Sequence, residues 1–292
     1  MVATTYYHVC TKGEDLPWMF RDEFDFIAGI NRIGFCVLSV NVTVVDFILM
    51  DTHVHFVLNG SLPICKEFIN KYKQMTGKWI SHRHNIANHL SKVATTIVPV
   101  GSEEALMEVI AYVDRNSIMA GYRCMPTEYR WGMSRYFFKD TLSMNALLAG
   151  FEKIGERSLK ILKKQLSTRV DIPRDWEIDK SGMINPRCFV DYRIVESIYR
   201  SPSRYLYFLA KKLEGKIDMK LSQGVSSFIP DKEMRSITDS LTREMFGLEK
   251  KGLLNISQRI QMAKKLRYEY GATHKQISRM LNVDVNILKG FV

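Results

Sequence analysis

Two histidines, His53 and His55, stand two residues apart in the apolar run of residues 51–58. If this run is a β-strand, alternate side chains share one face, so both imidazoles project together while Val54 and Phe56 point into a core. Two neighbouring imidazoles on a rigid strand supply half of a metal site. A His-X-His pair by itself is more often a hydrogen-bonded surface residue beside an incidental one, so a metal site needs support from a second motif.

That second motif is a tyrosine helix, in residues 111–121. Apolar residues recur at helical spacing through residues 103–116, and Ser102 precedes them as an N-cap, with acidic residues in the first turn. Tyr112 and Asn116 are four residues apart and therefore share one face of the predicted helix. A lone tyrosine on an amphipathic helix is usually a core-edge or surface aromatic, and only its combination with the histidine pair indicates chemistry.

Together these motifs resemble the HUH nuclease superfamily, in particular the REP-associated branch of its single-tyrosine transposases. The resemblance covers residues 6–138 and keeps the family's order: an opening strand at residues 7–9, the histidine strand, the tyrosine helix, and residues 129–136.

The chain departs from the family pattern at two places. Asp51-Thr52 stands where the family usually has Pro-Asn, and Asn116-Ser117 stands where the family usually has Asn-Pro. Both departures flank the proposed chemistry without replacing it.

The resemblance implies a transposase that cleaves and rejoins single-stranded or hairpin DNA, with Tyr112 as the nucleophile that forms a 5′-phosphotyrosine linkage. It also implies that His53, His55 and Asn116 hold a divalent ion, Mg²⁺ or Mn²⁺, as a Lewis acid. Two imidazoles favour Mn²⁺ on ligand softness, whereas cellular abundance favours Mg²⁺. Arg115 is a candidate phosphate contact, and both a monomer and a homodimer remain open.

Composition is that of an ordinary globular protein, because 46% of the 292 residues are hydrophobic and 25% are charged. The five cysteines show no paired metal spacing, which argues against a zinc knuckle and against a disulfide framework. A reduced, cytoplasmic protein is therefore expected, and the resemblance implies a bacterial, nucleoid-associated one. The longest apolar stretch, residues 44–50, is far shorter than the ~20 residues that span a bilayer, so no membrane partner is expected.

Charge is distributed unevenly along the chain. Residues 1–141 hold 14 Lys+Arg and 14 Asp+Glu, so residues 142–292 hold the other 28 basic and 17 acidic residues and the whole net charge of +11. Since Lys and Arg neutralise phosphates, this asymmetry predicts that the first half carries the chemistry and the second half binds a polyanion.

The order strand, helix, two strands, helix, strand, helix predicts an α+β protein with a ferredoxin-like antiparallel sheet and helices on one face. The HUH nuclease fold implied by the resemblance has the same arrangement, and the active site would lie on the sheet's exposed face. A long strand pattern occupies residues 36–50, and a mainly helical region follows residue 140. Three segments are therefore expected: a catalytic domain in 1–140, a helical extension in 141–240 and a DNA-binding segment in 241–292.

The last segment resembles a helix-turn-helix. Residues 257–270 read as a basic amphipathic helix, Gly271 as its cap, Thr273 as the N-cap of a helix to residue 281, and residues 284–291 as a final helix. An ordinary helical hairpin is the alternative. The side chains predicted to contact DNA here are Lys275, Gln276, Arg279, Asn286 and Lys289.

Two other functions fit parts of the sequence. A catalytically inactive or domesticated transposase could regulate through DNA binding alone, and in that case the Tyr112 hydroxyl need not face the histidine pair. Relaxases and rolling-circle initiators rank lower, because they usually carry a third metal histidine or a second tyrosine.

Overall fold

The computed structural model describes residues 5–11, 19–88, 90–155, 157–211, 217, 225–226, 231–268, 270, 272 and 274–291. Within these residues the protein is α+β, with a four-stranded antiparallel sheet and eleven helices. The chain forms two compact units, residues 1–224 and residues 225–292. None of the described helices is long and apolar enough to cross a bilayer.

The sheet of the first unit contains β1 (Thr5–Thr11), β2 (Thr43–Leu49), β3 (Val54–Gly60) and β4 (Thr95–Val100). Their order is β2-β3-β1-β4, and each neighbouring pair is antiparallel. The histidine strand β3 and the opening strand β1 are thus the two central strands.

Three helices accompany these strands: α1 (Glu23–Val37), α2 (Leu62–His84) and α3 (Glu103–Met119). The Ser102 side chain accepts a hydrogen bond from the Ala105 backbone N–H, which confirms the predicted N-cap of α3. The prediction of one long strand through residues 36–50 was wrong at its start, because α1 continues to Val37 and β2 begins only at Thr43.

Helices cover both faces of the sheet, not one as the sequence predicted. On one face, Phe56 of β3 packs against Phe68 and Tyr72 of α2. On the other face, His55 of β3 packs against Tyr112 of α3. The face expected to be exposed is therefore covered by α3, and His8 and His55 on it are buried.

Residues 141–211 belong to the same compact unit as the sheet. They contain α4 (Thr141–Leu148), β5 (Glu152–Lys153), α5 (Leu159–Gln165), β6 (Glu177–Ile178), α6 (Tyr192–Tyr199) and α7 (Pro202–Ala210). Val190 bridges to Val44 of β2, and the Tyr199 hydroxyl donates to the Met107 carbonyl of α3. A side chain on Gly34 of α1 would meet Phe189 at 2.9 Å, so this helix is packed closely against the extension.

These contacts replace the predicted domain boundaries at residues 140 and 240. The extension shares one hydrophobic core with the sheet, and the boundary between compact units falls after residue 224. Residues 142–224 carry 16 Lys+Arg and 10 Asp+Glu, and residues 225–292 carry 12 and 7. The basic excess is therefore divided between the two units.

The second unit contains β7 (Val225–Ser226), α8 (Asp231–Phe246), α9 (Ile256–Tyr268), α10 (His274–Leu281) and α11 (Val285–Phe291). The last three helices match the predicted helices to within a few residues. Between α10 and α11, Asn282 has a φ of +50°, a conformation that asparagine tolerates. The predicted caps at Gly271 and Thr273 lie outside the described residues.

Candidate functional site

The histidine pair projects to one side of the sheet, as the strand alternation predicted. The ring centroids of His53 and His55 are 5.0 Å apart, with the rings edge to face. Between and beyond them, Val54 and Phe56 are completely buried on the opposite face. The start of β3 and the residue just before it therefore present two imidazoles together, which satisfies the first requirement for a metal site.

Each imidazole has a partner at its Nδ1 atom. The Thr52 hydroxyl lies 3.0 Å from His53 Nδ1, and Nε2 of His8 lies 2.9 Å from His55 Nδ1. Metal-binding histidines are typically held in this way, because a bond at one ring nitrogen fixes the ring's orientation and tautomer. These bonds occupy Nδ1 of both rings, so a metal ion would bind at Nε2.

Helix α3 brings the predicted third ligand to the same place. The Asn116 amide Nδ2 donates to the carbonyls of Tyr112 and Val113, at 2.9 and 3.1 Å. The amide oxygen accepts a hydrogen bond from the His53 ring, and this bond opposes the burial that lowers the pKa of His53. Asn116 and His53 are thus direct neighbours, although they are 63 residues apart in the sequence.

The Tyr112 ring packs against two histidines. Its centroid lies 5.8 Å from the ring of His55 and 5.7 Å from the ring of His8, edge to face in both cases. Tyr112 is only 5% exposed and His55 only 4%. The predicted nucleophile and the predicted metal ligands therefore lie together, but in a closed site.

Burial keeps these imidazoles neutral. Desolvation lowers the pKa of His8 from 6.5 to about 4 and places the pKa of His55 well below its usual range, with His53 lowered in the same direction. The neutral imidazole is the form that binds metal ions. Near pH 7 the histidine cluster is therefore ready to bind a metal without releasing protons from its rings.

Sequence reasoning missed two residues of this cluster, His8 and Cys10 on β1. They alternate along β1 as His53 and His55 do along β3, and Cys10 is directly opposite His55 in the strand register. Donor atoms of His8, Cys10 and His55 lie within 4.8 Å of one another, so this buried group could hold a metal ion. The signal that the sequence offered was the two-residue spacing of His8 and Cys10 in the opening strand, the same spacing as that of His53 and His55.

Two donor sets therefore share His55. The set of His53, His55 and Asn116 offers nitrogen and oxygen atoms. This mixture suits Mn²⁺ better than Mg²⁺, because Mg²⁺ prefers oxygen ligands alone. The set of His8, Cys10 and His55 includes sulfur, which suits a softer ion such as Zn²⁺.

Metal titrations of variants should separate the two sets. We expect His53→Ala to weaken Mn²⁺ binding by roughly tenfold or more, because even residues that only support metal ligands contribute on this scale. We expect Cys10→Ser to leave Mn²⁺ binding nearly unchanged. Isothermal titration calorimetry with Mn²⁺ and Zn²⁺ measures both effects. Loss of Mn²⁺ binding in Cys10→Ser, with normal binding in His53→Ala, would assign the ion to the sulfur-containing set.

Several residues predicted to contact DNA have other partners. The Arg115 guanidinium donates to the Leu209 carbonyl at the end of α7, so it is committed to a contact inside the first unit. Gln276 is fully buried in the core of the second unit, so the prediction that its side chain contacts a DNA base was wrong. Arg279 and Asn286 are exposed, and the side chains of Lys275 and Lys289 lie outside the described residues.

Two buried carboxyl groups lie on the same face as the histidines. Asp46 of β2 and Asp114 of α3 are each at most 1% exposed, and Tyr205 donates to Asp114 Oδ2 at 2.7 Å. No described residue hydrogen-bonds to either side-chain oxygen of Asp46. Desolvation raises the pKa of Asp114 to about 8, and desolvation together with Asp114 raises the pKa of Asp46 well above its usual range. Asp114 is therefore expected to hold its proton at neutral pH, and the pKa of Asp46 is shifted in the same direction.

This pair predicts that stability falls as pH rises. Above pH ~4 the unfolded chain has lost protons that the native state still holds. Each carboxyl group therefore lowers the free energy of unfolding by up to about 1.4 kcal/mol per pH unit, until the pH passes its pKa in the native state. We expect urea unfolding to show lower stability at pH 8 than at pH 6.5, and Asp46→Asn and Asp114→Asn to reduce this difference. The exposed Asp175→Asn is the control, and a wild-type protein that gains stability over this interval would contradict the protonated pair.

Comparison of the chain with models of protein families, with characterised proteins and with solved structures finds no match.

Proposed function

We propose that this protein is a metal-dependent transposase that cleaves and rejoins single-stranded DNA through a covalent bond to Tyr112. The observation that carries the proposal is the meeting of Tyr112, on α3, with the histidine pair on β3, since the Tyr112 and His55 rings are 5.8 Å apart. Neither motif by itself requires the other to be near. Their convergence supports a shared chemical task.

In the proposed reaction, the Tyr112 oxygen attacks a phosphodiester phosphorus, and the bond to the 3′ oxygen breaks. The tyrosine proton is lost to solvent, the DNA 5′ end becomes a phosphotyrosine, and the 3′ end becomes a free hydroxyl. Because the new phosphodiester is similar in energy to the old one, a second 3′ end can displace Tyr112 without ATP. The reaction thus exchanges strands instead of simply cutting them.

The surrounding residues hold the reacting groups in place. Thr52 and His8 fix the rings of His53 and His55, and the Asn116 amide hydrogen-bonds to the backbone of its own helix. A divalent ion on His53, His55 and Asn116 would neutralise charge at the phosphate, which a phenol with an ordinary pKa of about 10 requires.

A DNA-binding regulator without cleavage is the second candidate. It is favoured by the burial of the site, since a tyrosine that is 5% exposed is closed to a phosphodiester in this conformation. Catalysis requires this site to open when DNA binds, whereas regulation does not.

Covalent capture of DNA distinguishes the two functions. The protein is incubated with single-stranded DNA from the flanks of its own gene, with Mn²⁺ or with EDTA, and the products are separated under denaturing conditions. The transposase proposal predicts a protease-sensitive DNA adduct that forms only with the metal ion. Tight binding without any adduct would favour the regulator.

A further inference from the structure

A cavity of about 640 Å³ lies between α2 and the segment that follows α5, and its volume is within the ~300–1,000 Å³ range of ligand sites. Met75, Trp79 and Val170 give it apolar walls. Helix α2 packs on the sheet face that carries Phe56, whereas Tyr112 packs on the opposite face. The cavity is therefore separate from the candidate active site.

Five basic side chains line this cavity, and no carboxylate does. Arg83 is already paired, with Asp22 and Asp25. The exposed Lys78 and Arg169 make no ion pair within the described part of the chain. The cavity thus retains an unneutralised positive charge. Its basic residues are Arg32, Lys78, His82, Arg83 and Arg169.

Arg32 is the least expected of these side chains, because it is only 3% exposed. Its Nη1 donates to the Ala28 carbonyl at 3.0 Å and its Nε to the Met75 carbonyl at 3.3 Å. No group among the described residues accepts from Nη2, and no described carboxylate pairs with Arg32. Burying a guanidinium without a counter-ion is costly, so this placement points to an anion supplied from outside the chain.

Aromatic and guanidinium planes lie beside these charges. Arg32 lies 5.0 Å from the centroid of the half-buried Trp79 ring, and Arg83 lies 5.4 Å from it. Nucleobases stack on tryptophan and on arginine planes, and the adjoining phosphates pair with Lys and Arg. The ligand that combines a flat aromatic group with an anion is a nucleotide.

We infer that this cavity binds one nucleotide unit of single-stranded DNA, with the base against Trp79 and the phosphate among Arg32, Lys78 and Arg169. That the strand is DNA rests on the proposed function. The binding chemistry rests on the cavity alone and needs neither Tyr112 nor a metal ion.

The test measures binding of a fluorescein-labelled oligonucleotide, dT10, by anisotropy in EDTA, so that cleavage cannot contribute. We expect the double charge reversal Lys78→Glu with Arg169→Glu to weaken binding at least tenfold. The slope of log Kobs against log salt should fall by about 1.4, at ~0.7 for each single-strand phosphate that is no longer neutralised. The matched control is Lys139→Glu with Arg204→Glu, two exposed cations elsewhere on the first unit. Equal losses in the two double variants, or no loss in either, would overturn the inference.

A second readout follows Trp79 itself. Unlabelled dT10 should quench tryptophan fluorescence in the wild-type protein, and Trp79→Phe, which keeps an aromatic ring in place, should remove that quench. If thymidine 5′-monophosphate quenches the fluorescence at concentrations as low as dT10 does, the cavity binds a free nucleotide and the DNA assignment is overturned. If Tyr112 forms no adduct while the Trp79 quench persists, the proposed function fails and the cavity does not.

Discussion

Replacing Tyr112 by phenylalanine abolishes covalent attachment of the protein to single-stranded DNA and leaves non-covalent binding nearly intact. The substitution removes one oxygen atom and keeps the ring, which packs against His8 and His55. If that oxygen is the nucleophile, its loss cannot be compensated by positioning or by charge neutralisation. Denaturing gels with 5′- and 3′-labelled DNA measure the adduct, and anisotropy measures the binding.

Tyr122→Phe is the matched control for this experiment. The Tyr122 hydroxyl donates to Asp51 Oδ1 at 2.7 Å, close to the histidine strand, and burial raises the pKa of this phenol to about 12. A phenol with a raised pKa is a poorer source of the reactive anion, so Tyr122→Phe should keep most of the adduct. An adduct that survives in Tyr112→Phe and disappears in Tyr122→Phe would transfer the role of nucleophile to Tyr122. Tyr129 would be tested next.

The parts of the candidate site that the sequence predicted are those set by local periodicity. The two-residue repeat of β3 puts His53 and His55 on one side, and the four-residue spacing on α3 puts Asn116 beside Tyr112. Both of these arrangements are set within a single strand or helix. That Tyr112 would lie near the histidine pair was expected only from the resemblance, and the Tyr112 and His55 rings are 5.8 Å apart.

His8 and Cys10 were missed because their roles depend on strand register. Cys10 is opposite His55 only because β1 and β3 are neighbours in a particular antiparallel alignment, and a shift of one residue would turn both side chains to the other face. Nothing within residues 5–11 specifies that alignment. It is fixed by the packing of the whole sheet.

The packing of the helical extension against the sheet was not predicted, for a related reason. Helical spacing in residues 192–210 predicts amphipathic helices, but it does not say which surface their apolar sides cover. Tyr199 and Tyr205 are at most 2% exposed and donate to Met107 and Asp114 of α3, so α6 and α7 complete the core around α3. Net charge had suggested a separate DNA-binding role for these residues, and charge carries no information about fold.

Truncation should therefore have opposite results at two positions. A protein that ends at residue 140 loses Val190, Tyr199 and Tyr205, and with them the cover over β2 and α3. It exposes the buried carboxyls and a large part of one hydrophobic core, so we expect it not to fold cooperatively and not to bind Mn²⁺. This expectation replaces the sequence-based one, in which the first half carries the chemistry and the second half binds a polyanion.

A protein that ends at residue 224 keeps the whole first compact unit, and we expect cooperative unfolding and normal Mn²⁺ binding. It lacks 12 of the 42 Lys+Arg residues, so DNA affinity should fall and the salt slope should flatten by about 0.7 for each single-strand phosphate that those residues neutralise. Circular dichroism during urea unfolding, Mn²⁺ calorimetry and salt-dependent anisotropy measure these properties in both truncated proteins. Cooperative folding of residues 1–140 would show that the sheet and its first three helices suffice for stability, and α6 and α7 would then be accessory to the core of the sheet instead of part of it.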